Sequence, residues 1–437
     1  MKKLLIILLS YFIIINFVLA QNRISLIRDT EIETFIKEIS KPILISAGLN
    51  PDDINFYIVN DNNINAFVTG GQNIFINTGT LTSFDTPDAV LGIIAHEIGH
   101  ISAGHLAQFS EKIKGTQSIG IGSILAGVGA MLAGIPELGQ AIIFGGLQIQ
   151  QQNLLKYTRG QEEMADDLAV KYLHNNTLSA NALLHSMNKF YQSELGYSND
   201  IEYYLTHPLS KNRKRFIERK MQDENVKDNN IFNTKYKDRF NFIKTKILAY
   251  NNKLLNLNNT TKNDYIIYAN AIIAMNTNKY KEAFQHTEYL IHKYKNNPYF
   301  YELLGDIYLK QNQIHKALLN YNIADNIIKD NTLIKKMIAF IIIKYNQKNM
   351  YNIAINNLIF IINNDKDDLS SLKMLAEVYY KNNDLSLSYL TLAKYYEFKN
   401  EKSRVKEYID LAKKNTTNKT ILKKIEDFTI TLEEKNN

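Results

Sequence analysis

The segment from Ile93 to His100, IIAHEIGH, contains the residues of this chain that are best suited to chemistry. It places His96, Glu97 and His100 in the spacing H-E-x-x-H. Side chains four residues apart project from one face of a helix, so the two imidazoles can bind one metal ion while Glu97 takes a proton from an attacking water. The five-residue pattern also occurs by chance, and an ordinary amphipathic helix that carries two histidines is the alternative interpretation.

The surroundings of this motif favour metal binding. Apolar residues precede it, so the motif is expected to enter a buried environment, where imidazoles and a carboxylate are costly without a partner. The chain has no cysteine, so a zinc ion would need nitrogen and oxygen ligands. The extended pattern H-E-x-x-H-x-x-G-x-x-H is absent because Ala103 and Leu106 occupy its later positions. His105 is expected to support the site from behind or to lie on the surface.

A third metal ligand is therefore expected further along the chain. The segment RGQEEMADDLAVKYL offers Glu162 and Asp166, which are four residues apart on one face of a predicted helix. Glu162 can bind the metal while Asp166 supports a histidine through its outer ring nitrogen. The alternatives are a solvated acidic turn near a helix N-terminus and, as the ligand, Glu163 or Asp167.

Several elements are predicted around these residues. Residues 25–48 have helical spacing, and residues 54–81 contain short apolar runs between Asn, Asp and Gly residues, which indicates a small antiparallel sheet. Pro87 suits the first turn of the helix that carries the motif. Residues 160–195 and 211–221 are also predicted to be helical.

A glycine-rich apolar segment lies between the two parts of the predicted metal site. From Gly115 to Asn153 the only charged residue is Glu137. Residues 116–147 are long and apolar enough to suggest a membrane span, but a single crossing would place the two parts of the site on opposite sides of the membrane. We therefore expect a helical flap that packs over the site or makes peripheral contact with a membrane.

The N-terminus has the layout of an export signal. Two lysines precede an apolar run that ends at Ala20, and cleavage is expected after this residue. An uncleaved N-terminal anchor is the alternative. Either interpretation places the body of the protein outside the cytoplasm.

The C-terminal part has a helical pattern with a period near 34 residues. One block is repeated 34 positions later, with small or apolar residues at Ala271, Ala283, Thr287 and Leu290, then at Gly305, Ala317, Tyr321 and Ala324. This pattern resembles tetratricopeptide repeats, in which small residues let paired helices approach closely. A helical bundle without repeats is the alternative. The net charge of +7 is scattered along the chain, so no nucleic-acid partner is expected.

The combination of these motifs resembles a known family. His96-Glu97-x-x-His100 followed by Glu162-x-x-Ala165-Asp166 is similar to the gluzincin-type peptidases related to the CAAX prenyl endoproteases. With an export signal before it and repeats after it, the chain resembles the periplasmic beta-barrel assembly-enhancing protease family over nearly its whole mature length.

This resemblance implies the fold and the roles of several residues. The expected fold class is mainly α: an α+β gluzincin-type metallopeptidase domain with a small β-sheet, followed by an α-solenoid of tetratricopeptide repeats. The resemblance implies one Zn²⁺ per chain on His96, His100 and Glu162, with Glu97 as the catalytic base. Thr206-His207-Pro208 matches a further family element, in which His207 is either a reversible fourth ligand that keeps the enzyme latent or a donor to the oxyanion. A turn histidine without function is the alternative.

The expected organisation is a signal peptide at 1–20, a zinc metallopeptidase domain at 21–225, a linker at 226–240 and a tetratricopeptide-repeat domain at 241–437. The expected function is degradation of misfolded or stalled outer-membrane β-barrel proteins and assistance in their assembly. The repeats would recruit substrate or the barrel assembly machinery. A periplasmic adaptor or chaperone with a latent or structural zinc site is the alternative.

Overall fold

The structure, a computed structural model of the chain, describes residues 25–69, 72–105, 158–192, 207, 211–222, 228–251, 263–365 and 368–436. The expected signal peptide and the glycine-rich segment lie outside these ranges. The described residues form two compact units, the first ending with a helix that closes at Tyr250 and the second beginning at Asp264. Within the described ranges, no helix combines the length and the apolar character needed to cross a bilayer.

A small sheet forms the β part of the first unit, as predicted. Its strands are β1 (Leu26–Ile27), β2 (Asn55–Val59), β3 (Ala66–Thr69) and β4 (Asn73–Asn77), in the order β1-β2-β4-β3. The predicted antiparallel arrangement is wrong for one pair, because β2 and β4 are parallel. An alternating sequence does not specify which strands become neighbours, and the fully buried β4 occupies a central position while β3 lies at the edge.

Helices cover the sheet and form most of the first unit. They are α1 (Thr30–Ser46), α2 (Thr78–Ser83), α3 (Pro87–Ser102), α4 (Arg159–Asn175), α5 (Asn181–Gln192), α6 (Lys211–Gln222) and α7 (Asn230–Tyr250). The Asp29 side chain accepts hydrogen bonds from two backbone amides and caps α1. Pro87 opens α3, as its position in the sequence predicts. The core lies where α3 meets the sheet and its neighbouring helices, so the motif helix is buried along nearly its whole length.

Helix α7 occupies most of the range in which the linker was expected. Its Phe240, Ile243 and Ile247 are buried in the core of the first unit. Its Lys246 is also buried, with Nζ 2.7 Å from Asp29 Oδ2 at the start of α1. The first unit therefore extends to Tyr250, and the polar segment before α7 does not end it.

The second unit consists of helices that contact their sequence neighbours in turn. They are α8 (Asp264–Asn276), α9 (Tyr280–Lys293), α10 (Pro298–Lys310), α11 (Ile314–Ile328), α12 (Thr332–Lys344), α13 (Tyr351–Asn364), α14 (Leu369–Lys381), α15 (Leu385–Phe398), α16 (Lys402–Lys414) and α17 (Lys419–Asn436). This confirms the predicted helical C-terminal region. Its assignment to tetratricopeptide repeats stays a prediction.

Two local features repeat at the predicted period in this unit. Asn278, Asn312 and Asn346 have positive φ angles of 61°, 57° and 50° in the turns between paired helices, a conformation that asparagine tolerates better than most residues. Small buried residues also recur at this spacing, at Ala271, Gly305 and Ala339. A Cβ atom at Gly305 would lie 2.9 Å from the ring of Tyr321, so glycine allows α10 and α11 to pack closely.

Candidate metal centre

Helix α3 places both histidines of the motif at one buried position. His96 and His100 are fully buried and one turn apart, and their Nε2 atoms are 3.1 Å apart. The motif also includes Gly99, whose absent side chain leaves room for α4. A Cβ atom there would lie 2.7 Å from the backbone oxygen of Ala165. This close contact brings the two helices together where their polar side chains meet.

Helix α4 supplies the carboxylates that the sequence predicted. It begins with a capping box in which the Thr158 and Gln161 side chains exchange hydrogen bonds with each other's backbone. One turn into the helix, Glu162 has Oε1 3.4 Å from His100 Nε2 and Oε2 3.5 Å from His96 Nε2. The structure thus brings together the three side chains expected to bind the metal, although Glu162 and the two histidines come from segments about sixty residues apart.

Asp166 lies behind the cluster, in the supporting position that was predicted for it. Its Oδ1 is 2.9 Å from His96 Nδ1, on the side of the ring opposite to Glu162. The rival carboxylates Glu163 and Asp167 are exposed, and Asp167 forms a salt bridge with Lys220 at the surface. The helical period therefore separates the inward pair of carboxylates from the outward pair.

Arg213 is the residue whose contribution the sequence did not indicate. It lies on α6 and is 1 % exposed, and its Nε and Nη2 donate hydrogen bonds of 2.6 and 2.8 Å to Asp166. Its Nη1 also donates to Glu162. The segment around it, KNRKRFIERK, reads as a solvated basic helix. Two sequence signals were its position after the Thr206-His207-Pro208 element of the family resemblance and its place on the apolar face of that helix, close to Ile217, but neither assigned it a role.

His207 and Glu97 complete the arrangement. His207 Nδ1 lies 3.1 Å from Glu162 Oε1, and its Nε2 lies 3.5 Å from Glu97 Oε1. Both residues are fully buried. Neither carboxylate oxygen of Glu97 has a hydrogen-bond partner among the described residues. Thr206 and Pro208, the neighbours of His207 in the expected family element, lie outside the described residues.

The environment of the cluster shifts the pKa values of its members in different directions. Burial raises the pKa of Glu97. Burial alone would lower the pKa of His96, but its contacts with Asp166 and Glu162 outweigh this effect and raise the pKa to about 9. Burial lowers the pKa of His100 well below its usual value. For Glu162 burial acts to raise the pKa, and the neighbouring histidines, His207 foremost, hold it well below the usual range.

The donor set fits a metal ion. His96, His100, Glu162 and His207 each offer a ligand atom, and these atoms all lie within 4.8 Å of one another. Three imidazoles and a carboxylate are the nitrogen and oxygen ligands that zinc accepts in sites without cysteine. The unpartnered carboxylate of Glu97 lies beside this set, where a water or substrate can supply the hydrogen bond that it lacks.

A buried H-E-x-x-H helix with a carboxylate from a second helix is an arrangement typical of metallopeptidases. Residues 27–221 match the model of Peptidase family M48, so this part of the chain is similar to that family. The match covers every residue of the metal centre and ends before α7.

The chain is similar over most of its length to proteins of the predicted family. It is 23% identical over 369 residues to the Beta-barrel assembly-enhancing protease of Escherichia coli (strain K12), covering 80% of this chain and 72% of that protein. It is 26% identical over 318 residues to the protein of the same name from Yersinia pestis, covering 69% and 64%. It is also 24% identical over 183 residues to Metalloprotease LoiP of Escherichia coli (strain K12), covering 42% of this chain and 69% of that protein. The resemblance expected from the sequence is confirmed.

Proposed function

We propose that this chain is a zinc-dependent endopeptidase in which His96, His100 and Glu162 bind one Zn²⁺ and Glu97 is the catalytic base. The observation that carries this proposal is the buried convergence of His96, His100 and Glu162 from two helices, with the buried Glu97 next to His96 on the first of them. A bound zinc ion would polarise a peptide carbonyl and make water a better nucleophile at neutral pH. Proton transfer is assigned to Glu97, and the positioning of the ligands is assigned to Asp166 and Arg213.

Glu97 carries out the proton transfers in this mechanism. Its carboxylate accepts a proton from the attacking water and then donates that proton to the amine nitrogen that leaves when the peptide bond breaks. Because burial raises the pKa of Glu97, it becomes a better base than an exposed glutamate. The carboxylate has no hydrogen-bond partner among the described residues, and His207 Nε2 lies 3.5 Å from its Oε1.

Asp166 and Arg213 hold the ligands in place. The Arg213 guanidinium bridges Asp166 and Glu162, and Asp166 in turn lies at the outer nitrogen of His96. Such contacts fix the orientation of the ligand side chains and tune the metal. We assign both residues to positioning and neither to the chemical step.

His207 is proposed to act at the position that three protein ligands leave open. Its Nδ1 lies beside Glu162 and its Nε2 beside Glu97, so it is near both the ligands and the base. As a fourth ligand it would keep the enzyme latent, and as a donor to the oxyanion it would support the transition state. His207→Ala separates these roles, because latency predicts faster digestion and transition-state support predicts slower digestion.

The proposed substrates are misfolded or stalled outer-membrane β-barrel proteins in the periplasm, which the chain would reach through a signal peptide cleaved after Ala20. Two observations support this proposal: the name of the relatives and the position of β3 at the edge of the sheet. An extended chain can add to such an edge through main-chain hydrogen bonds, which tolerates many sequences. We further propose that the second unit is a tetratricopeptide-repeat domain that recruits substrate or the barrel assembly machinery, and that residues 116–147 contact the membrane surface.

The test combines metal analysis with digestion of an unfolded outer-membrane barrel protein. We expect about one zinc per chain and a loss of activity in Glu97→Gln of roughly 10²- to 10⁴-fold, with zinc retained. Glu163→Gln is the matched control, because this neighbouring glutamate is exposed and should leave activity unchanged. Full proteolysis by Glu97→Gln would refute the catalytic assignment. Barrel assembly that proceeds equally well with Glu97→Gln in cells would favour an adaptor or chaperone.

A further inference from the structure

His105 lies at an unexpected place for a residue beyond the end of the motif helix. Helix α3 ends at Ser102, and the amides of Ala103 and Gly104 bond back to its last turn. Gly104 has a φ of +67°, a left-handed conformation that glycine adopts without strain and that reverses the chain direction. The reversal brings His105 back against the helix, where it is 2 % exposed.

The reversed chain places the two imidazole rings in direct contact. His105 Nδ1 lies 2.9 Å from His100 Nδ1, and the ring centroids are 5.1 Å apart. This contact is on the side of His100 that faces away from Glu162. His100 therefore has the cluster at its Nε2 and a second histidine at its Nδ1.

The positions of the protons follow from this contact. A hydrogen bond between two ring nitrogens requires one donor and one acceptor. To bind a metal, His100 must present a lone pair at Nε2, so its single proton is on Nδ1. Since His100 Nδ1 is then the donor, His105 Nδ1 is the acceptor, and the proton of His105 is on Nε2.

We propose that His105 is a positioning residue, which accepts a hydrogen bond from His100 Nδ1 and so holds His100 in the tautomer that presents Nε2 to the metal. The inference rests on the proposed metal-binding function and deepens it. His96 has a carboxylate, Asp166, at the corresponding nitrogen. His100 has a neutral acceptor instead, which orients the ring without adding a further negative charge to a buried cluster that already contains Glu97, Glu162 and Asp166.

The test uses the full-length chain and two substitutions at residue 105. His105→Leu removes the acceptor and keeps an apolar side chain, and we expect it to weaken zinc affinity by roughly 10- to 100-fold. His105→Asn keeps an acceptor, because Asn Oδ1 is the same number of bonds from the backbone as His Nδ1, and we expect affinity within roughly threefold of wild type. His174→Leu, which replaces an exposed histidine on α4, is the control and should bind zinc as wild type does.

Two readouts besides activity distinguish positioning from a general structural role. Zinc affinity is measured by competition with a chelator, and the visible spectrum of the cobalt-substituted protein reports ligand geometry. A weakened His105→Leu that His105→Asn restores supports the proposal. Wild-type affinity in His105→Leu, or an equal loss in His105→Asn, would overturn it. If wild type binds no metal, the proposed function fails instead.

A measurement on wild type keeps the proposal falsifiable if His105→Leu does not fold. Nitrogen chemical shifts of ¹⁵N-labelled histidines distinguish the two neutral tautomers. In the zinc-loaded protein we expect His100 protonated at Nδ1 and His105 protonated at Nε2. A proton on Nδ1 of His105 would refute the hydrogen bond.

Discussion

The close approach of Gly99 to α4 leads to a specific prediction for Gly99→Ala. The new Cβ would lie 2.7 Å from Ala165 O and 3.1 Å from Ala165 Cα, both backbone atoms that cannot rotate away. Non-bonded carbon atoms prefer separations of about 3.5–4.0 Å, so the helices must move apart by roughly 0.5–1 Å. Such overpacking costs about 1–3 kcal/mol, which outweighs the gain of about 1 kcal/mol from replacing glycine in a helix.

The same movement should affect the metal. Glu162 lies one turn before Ala165 on α4, so a displaced helix carries its carboxylate away from the two histidines. We expect Gly99→Ala to lower both the melting temperature and the zinc affinity. Gly92→Ala is a second probe, because its Cβ would lie 2.6 Å from the backbone of Ala182 on α5, which supplies no proposed ligand. It should lower stability with a smaller effect on zinc.

Gly160→Ala is the control, since a Cβ there meets nothing within 4 Å and the residue is on the same helix as Glu162. It should leave zinc affinity unchanged and leave stability equal or slightly higher. The assays are thermal unfolding of the metal-free protein and zinc competition with a chelator. If Gly99→Ala is as stable as Gly160→Ala and binds zinc as tightly as wild type, the helix contact does not position the ligands.

Three further predictions concern the elements around the site and the second unit. Lys246→Met should destabilise the first unit by roughly 2–4 kcal/mol in urea unfolding, because it removes the cation that faces the partly buried Asp29 and the buried Glu31; unchanged stability would contradict the place of α7 in this unit. Asn312→Val should cost about 1–2 kcal/mol at its φ of 57° whereas Asn312→Gly should not, and an equal loss in both variants would mean that the backbone conformation is not the cause. Asp368, whose pKa is lowered because Lys336 and nearby hydroxyls outweigh its burial, should stabilise the second unit above about pH 4 and lose that effect as the pH falls further. The free energy of unfolding of wild type should thus exceed that of Asp368→Asn by roughly 1 kcal/mol at pH 7 and equal it near pH 2. A difference between the two that does not vary with pH would refute the assignment.

The sequence predicted which side chains converge in the buried cluster, because helical spacing is a local property. His96 and His100 were found from a separation of four residues, and the same rule separated Glu162 and Asp166 from their exposed neighbours. The period of the second unit was predicted for a similar reason, since small and apolar residues recur in the sequence at a spacing of 34 positions.

The features that the sequence did not reveal depend on contacts between distant segments. The parallel pairing of β2 and β4 depends on which strand enters the centre of the sheet. Helix α7 follows a polar segment and carries many charges, yet its buried face completes the first core. Arg213 looks like one of several surface cations in its helix, and only its contact with two buried carboxylates distinguishes it.

The charges in and around the buried cluster of His96, His100, Glu162 and His207 explain why this cluster suits a cation. Glu162 and Asp166 are buried with pKa values below their usual range, and Arg213 is the one arginine that contacts them both among the described residues. Burial acts to lower the pKa of His96, but its contacts with both carboxylates outweigh this effect and raise the pKa to about 9, so the ring holds its proton more tightly than a free imidazole does. One of those two contacts is at Nε2, the nitrogen that faces Glu162 and His100. A metal ion at this point would take the place of that proton and satisfy the same carboxylate, so the electrostatics of the cluster and its ligand geometry indicate the same site.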